Sequence, residues 1–173
     1  YLAAFLKEHN IKIVYERVEK IDFNSDYNPI MVTSMPADAK RANDIGDKFR
    51  KNGKTVIMGG FYPSMFPEEA LKHADSIVVG EAEYLIDSIL NDFINRKLKR
   101  KYVSEKCYDM NNMKLARFDL IDKKYTGFLT FWPIQATRGC SRRCDFCSVW
   151  RVQGMQYRKR PVKDVAEEMK KRG

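Results

Sequence analysis

The sequence predicts an α/β chain whose main unit is a mostly parallel, doubly wound sheet. Short apolar, β-rich runs at Ile30 to Ser34, Thr55 to Gly60 and Ser76 to Glu81 alternate with segments of helical period. Strands separated by helices of that length pair in parallel and place the helices on the faces of the sheet. Gly53 follows the first long helical period, where a glycine belongs just past a helix C-terminus. A chain of 173 residues that is 44% hydrophobic and 12% aromatic can bury a real core, which excludes disorder and leaves room for one domain plus a piece of a second.

Each element follows in order. The opening YLAAFLKEHN carries Leu2, Phe5 and Leu6 at helical spacing, and Ile11 to Val18 is β-branched and alternating, so a helix and then a strand are expected. Ile30 to Ser34 reads as a buried strand, and Pro36 to Asn52 as a helix with Ala39, Ala42, Ile45 and Phe49 on one face. TVIMGG gives a strand and a glycine turn, Glu68 to His73 a short helix, and SIVVGE a third strand. Leu85, Ile86, Ile89, Leu90 and Phe93 recur at i, i+1, i+4, i+5 and i+8, an amphipathic stripe. This unit occupies residues 1–100, and the loss of period beyond it marks 101–128 as a linker. Residues 129–173 start something new. A strand from about Leu129 to Thr137 runs into a cysteine loop, and Pro161 opens a helix with Val162, Val165, Ala166 and Met169 on one face. One strand, one loop and one helix close no core, so this unit reads as the start of a larger, truncated domain.

Ligands of parallel sheets bind outside the C-terminal strand ends, at a switch in strand order. The candidate rim is therefore Ser34, Gly59, Gly60, Gly80 and Glu81. The turn GGFYPS lacks both the GxGxxG spacing and the Walker lysine and hydroxyl pair, so it is no phosphate fingerprint.

The formal net charge is +9, which invites anionic partners. One basic block is RKLKRK, Arg96 to Lys101; another surrounds the cysteines, with Arg138, Arg142, Arg143, Arg151, Arg158, Lys159 and Arg160 against the single acid Asp145. A nucleic-acid-binding module is the alternative reading, though charge sets affinity without specificity and no nucleic-acid recognition motif is present. No apolar run is long enough to span a membrane. No secretory leader precedes the first helix, and the chain opens on Tyr1, so the start is expected to be cut.

The chain's four cysteines, Cys107, Cys140, Cys144 and Cys147, are too few for a secreted disulfide scaffold and favour a reducing, cytoplasmic setting. Three of them fall within eight residues, at a C-x-x-x-C-x-x-C spacing. A disulfide would leave one of the three thiols unpaired. A structural zinc site needs four ligands, usually as two spaced pairs, whereas Cys107 is isolated and the only histidines are His9 and His73. An iron–sulfur cluster held by three thiolates would keep one iron open for an exogenous ligand, as an open coordination position marks a catalytic zinc.

Cys140, Cys144 and Cys147, with Phe146 just before the last of them, resemble the signature of the radical S-adenosylmethionine superfamily. The upstream VIMGGFYPSMFPEEALKHADSIVVGEAE resembles the N-terminal cobalamin-binding-type domain of one branch. The resemblance implies a Rossmann-like (flavodoxin-like) unit whose first strand precedes residue 1, followed by the first strand, loop and helix of a partial (β/α) barrel. It implies that Cys140, Cys144 and Cys147 ligate a 4Fe–4S cluster and that Phe146 lies near the adenine of S-adenosylmethionine. An electron donor of flavodoxin or ferredoxin type would reduce the cluster, and cleavage of S-adenosylmethionine would give a 5′-deoxyadenosyl radical that attacks a substrate. Cobalamin would sit in the rim crevice and supply a methyl group, with Tyr62 standing where many relatives have His. The arginines flanking the cysteines, Arg138 among them, are then expected to offset the charge of thiolates and of the cofactor's carboxylate. A tRNA-thiolating relative shares the three-cysteine loop but usually carries further cysteines in its N-terminal domain, and none precedes Cys107 here.

Overall fold

A computed structural model describes residues 1–17, 19–121 and 133–171. Four parallel strands form the main sheet: β1 (Ile30–Thr33), β2 (Val56–Gly59), β3 (Ser76–Val79) and β4 (Lys101–Val103). Between them run α1 (Ala39–Lys51), α2 (Phe61–Met65), α3 (Pro67–His73) and α4 (Ile86–Ile94).

The pleat decides which helix covers which face. Alternate side chains of β2 point to opposite sides, so Val56 and Met58 join Ile77 under Ile45 and Phe49 of α1 and Ala70 of α3. Ile57, Val78 and Tyr102 face the other way and meet Ile89 of α4. Both faces are therefore covered, and β2 and β3 read as continuous apolar runs because neither face meets water. Ile77 and Ile89 are fully buried, each worth about 1.5–3 kcal/mol in removed apolar surface. Gly46 of α1 is a packing glycine: a Cβ there would stand 2.5 Å from the His73 carbonyl oxygen and from the Met58 methyl group. Only a bare Cα lets α1 come that close to α3 and the sheet.

Helices on both faces agree with the predicted class, but three details differ. The strand order is β1-β2-β3-β4, without reversal among the described residues, so these strands contain no switch point. Ile11–Arg17 forms no strand. Its alternation is intact, but no described strand lies beside it to complete a ladder, and an unpaired alternating run stays irregular. The span expected to be a linker holds β4 and a buried cluster of Tyr108, Met110 and Met113 against Tyr1 and Phe5. A strand of three residues with one inward side chain, Tyr102, carries too little period to announce itself.

The second unit contains β5 (Thr137–Arg138), α5 (Val149–Val152), β6 (Arg158–Lys159) and α6 (Val162–Lys170). The strand expected from about Leu129 falls partly outside the described residues; within them it is the short β5, paired antiparallel with β6. Helix α6 forms where Pro161 places it, yet only Val165 and Ala166 of its predicted inner face are partly buried, while Val162 is 84% and Met169 58% exposed. Its buried side chain is Glu168. The Arg160 guanidinium, 2.6 Å from that carboxylate, draws it inward, and a buried charge must be paired.

Candidate metal centre and its docking on the sheet

The cysteine loop hangs from a two-residue stem. Thr137 pairs with Lys159 and Arg138 with Arg158. Gly139 then turns the chain at a φ of +82°, and a Cβ there would stand 2.1 Å from the Gln156 carbonyl oxygen, so this position needs glycine. The Cys140 N–H donates to the Gly154 carbonyl at 3.2 Å, tying the first cysteine to the returning chain. The Cys147 N–H donates to the Cys144 carbonyl at 3.0 Å. The same oxygen accepts the Trp150 indole N–H at 3.1 Å, anchoring α5 to the loop. Arg151 lies over the Trp150 ring, 4.3 Å from its centre.

The three loop cysteines are half-buried and all four cysteines carry free thiols. Soft thiolates on one short loop are the donor set that iron–sulfur clusters take. Among the described residues no three His, Cys, Asp or Glu side chains are gathered closely enough to hold a metal ion. The donors therefore fit such a group in kind and sequence spacing, without being gathered into a ligand cluster. Phe146 is 93% exposed beside them. Cys107, expected to be isolated, lies against the loop: its thiol reaches the Gln153 carbonyl at 3.6 Å, and a Cβ on Gly154 would stand 2.6 Å from its sulfur.

Beneath the stem is a cluster of charges that joins the loop to the sheet. Glu81 and Glu83, just past the C-terminal end of β3, are both buried. Arg158 forks onto Glu81, at 2.6 Å to Oε1 and 2.9 Å to Oε2, and also donates to the carbonyls of Tyr108 and Gln153. Arg138 reaches Glu83 at 2.6 Å and Glu81 at 3.8 Å, and its Nε donates to the Gln135 side chain at 2.9 Å. Glu81 accepts the Tyr108 N–H as well. Hydrogen bonding to Glu81 outweighs desolvation and raises the Arg158 pKa above its ordinary value.

These placements revise the expected roles. Arg138, Arg158 and Arg160 are paired with buried carboxylates, and the Cys107 thiol also acts on Arg158; Arg142, Arg143, Arg151 and Lys159 stay exposed. Ser34, Gly59, Gly60, Gly80 and Glu81 do line the C-terminal rim, but largely by bonding one another and the chain around them. Ser34 donates its N–H to Gly59. A Cβ on Gly60 (φ +94°) would lie 2.7 Å from the Thr33 hydroxyl, and the Gly80 N–H donates to the Ser64 hydroxyl at 2.9 Å. Tyr62 is core, not crevice: it is buried among Ile45, Met58 and Ala70, and its hydroxyl accepts from the Asn43 amide at 3.0 Å. At this rim Tyr62 and Glu81 are thus committed to the core and to Arg158, while the Ser34 hydroxyl is buried without a hydrogen-bond partner.

No family model matches the chain. It is similar over nearly its whole length to curated methyltransferases. Across 95% of its residues it is 39% identical to bacteriochlorophyllide d C-8(2)-methyltransferase of Chlorobaculum tepidum, and across 84% it is 33% identical to the C-12(1)-methyltransferase of that organism. It is also 32% identical, over 76% of its residues, to a protein of Methanocaldococcus jannaschii named a putative methylthiotransferase. The chain spans 38%, 32% and 30% of the lengths of these relatives. Among the described residues no helix is long and apolar enough to cross a membrane.

Proposed function

We propose that this chain provides the cluster-binding loop, and the α/β unit that carries it, of a radical S-adenosylmethionine enzyme that transfers methyl groups. The observation that carries the reading is the loop itself: Cys140, Cys144 and Cys147 are free thiols at the superfamily's spacing, in a chain similar to named methyltransferases. Their thiolates would hold three irons of a 4Fe–4S cluster, with Phe146 beside the adenine of S-adenosylmethionine. When bound, the reduced cluster supplies the single electron that cleaves the sulfonium. The protein's share is to bind, orient and exclude water. The exposed Arg142, Arg143 and Arg151 suit an acidic, flavodoxin- or ferredoxin-type electron donor. Tyr62 and Glu81 are committed to the core and to Arg158, so this assignment rests on the cysteine loop and routes no step through cobalamin; the methyl acceptor is left open.

Anaerobic reconstitution with iron and sulfide tests the reading. The reduced protein is expected to give a 4Fe–4S electron paramagnetic resonance signal that changes on adding S-adenosylmethionine. Absence of the signal, or stoichiometric zinc in place of iron, overturns it. The relative named a methylthiotransferase favours one second reading, methylthio transfer. Product analysis by mass separates the two, because the methylthio product carries an added sulfur.

A further inference from the structure

In the stem of the cysteine loop, Arg138 and Arg158 are register partners on β5 and β6. Like charges directly opposite on an antiparallel pair repel and destabilise it. Here the repulsion arises where it is least screened, because the two side chains are only 9% and 11% exposed. Left alone, a stem of two residue pairs closed by two facing guanidiniums would open. Glu81 and Glu83, two residues apart past β3, meet both arginines and supply the matching pair of negative charges.

We infer that the glutamate pair of the sheet rim holds the cysteine loop shut, making Glu81, Glu83, Arg138 and Arg158 positioning residues for the three cysteines. The path from charge to cysteine is short. Arg158 bridges Glu81 to the Gln153 carbonyl at 2.6 Å, and the next carbonyl, that of Gly154, accepts the Cys140 N–H. Arg138 lies two residues before Cys140 and is fixed from the other side by Gln135. Losing the carboxylates would strand two buried guanidiniums and release both ends of the loop together. Breaking a buried pair from one side is strongly destabilising, and the cheapest relief is to lift the stem into water. As a statement about cluster ligands this rests on the reading above; as a statement about the loop it does not.

The test uses the full protein without iron. Glu81→Gln/Glu83→Gln is expected to speed iodoacetamide alkylation of Cys140 at least about tenfold, as local opening exposes it. Amide exchange at residues 137–138 and 158–159 should accelerate, while Ile57, Ile77 and Val78 in the sheet keep their protection. Unchanged alkylation and unchanged stem exchange overturn the inference. If the double variant also loses protection in the sheet, Arg158→Lys decides instead. It keeps the charge but loses the two-pronged contact, and it should open the stem with the sheet intact; no opening there overturns the inference too. Because no cluster is needed, failure of reconstitution leaves this result standing, and normal reconstitution with an unmoved stem removes the clamp alone.

Discussion

The two units bury opposite kinds of side chain. In the sheet unit the buried residues are overwhelmingly apolar, from Ile45 and Phe49 through Met58, Ile77 and Ile89. Among the described residues 133–171, the buried side chains are Arg138, Arg160 and Glu168, all charged. The first unit is held by non-directional packing, roughly proportional to area removed from water. The second is held by directional bonds that exist only while each partner is in place. Apolar packing is spread over many contacts, whereas an ionic core fails one partner at a time.

The largest effect should therefore come from that ionic core. Arg160 has no exposed side-chain surface, and its Nη1 donates to Glu168 at 2.6 Å and to the Gln135 carbonyl at 3.1 Å. Glu168 also accepts from the Tyr1 hydroxyl at 2.9 Å, so the network ties α6 to the chain's first residue. Glu168→Ala leaves the guanidinium buried and its charge uncompensated, at a cost of about 3–5 kcal/mol. Urea unfolding followed by far-ultraviolet circular dichroism measures it. A loss no larger than that of an average surface substitution would mean that the second unit does not rest on its charges.

Ile77→Ala is the matching cut in the sheet, expected to cost about 2–5 kcal/mol from lost transfer energy and the cavity left behind. The same titration reads it, and the packing account predicts that Val78→Ala costs less, since fewer methyl groups are removed. Gly60→Ala comes next, at about 1–3 kcal/mol. The residue holds a positive φ, and the new Cβ would stand 2.9 Å from the Ser34 carbonyl as well as against Thr33. A neutral result would show that the rim turn has slack, and would reopen it as a place where a ligand meets backbone.

Legibility in the sequence follows the same division. β2, β3, α1 and α3 were readable because burial writes continuous apolar runs and 3.6-residue stripes; β1 was expected to be buried but exposes Met31 and Thr33 on one face, and α2 stands where a glycine turn was expected. β4 was not, since Lys101 and Val103 face solvent and only Tyr102 points in. Around the cysteines, spacing singled out the proposed donors, and Glu81 was singled out as a rim residue. Its role was misjudged because its partners, Arg138 and Arg158, lie far along the chain, and ion pairing of that range leaves no local period. Glu83 and Glu168 were missed altogether; the one available signal was the excess of arginine around a loop with a single acid, a charge that needed carboxylates from elsewhere. The stripe on α6 misled for the complementary reason. A periodic apolar face states that burial is possible; Val165 and Ala166 realise part of it, while Val162 and Met169 stay largely exposed.

The smallest stability effect is expected at the cysteines themselves. Cys144 is half-buried, and the anchoring contact at that residue is its backbone carbonyl, which accepts from both Cys147 and Trp150. Cys144→Ser keeps that carbonyl and nearly the same volume, so in the iron-free protein the unfolding midpoint should not move. Iron retained after reconstitution should nevertheless collapse, because a hydroxyl is a poor replacement for a soft thiolate. A shifted midpoint without iron would mean that the thiol is part of the loop's packing, and the loop would then be a structural element that happens to contain cysteines. An unmoved midpoint with lost iron separates the two kinds of residue in this unit: arginines and glutamates that hold the loop, and sulfurs that the loop holds out.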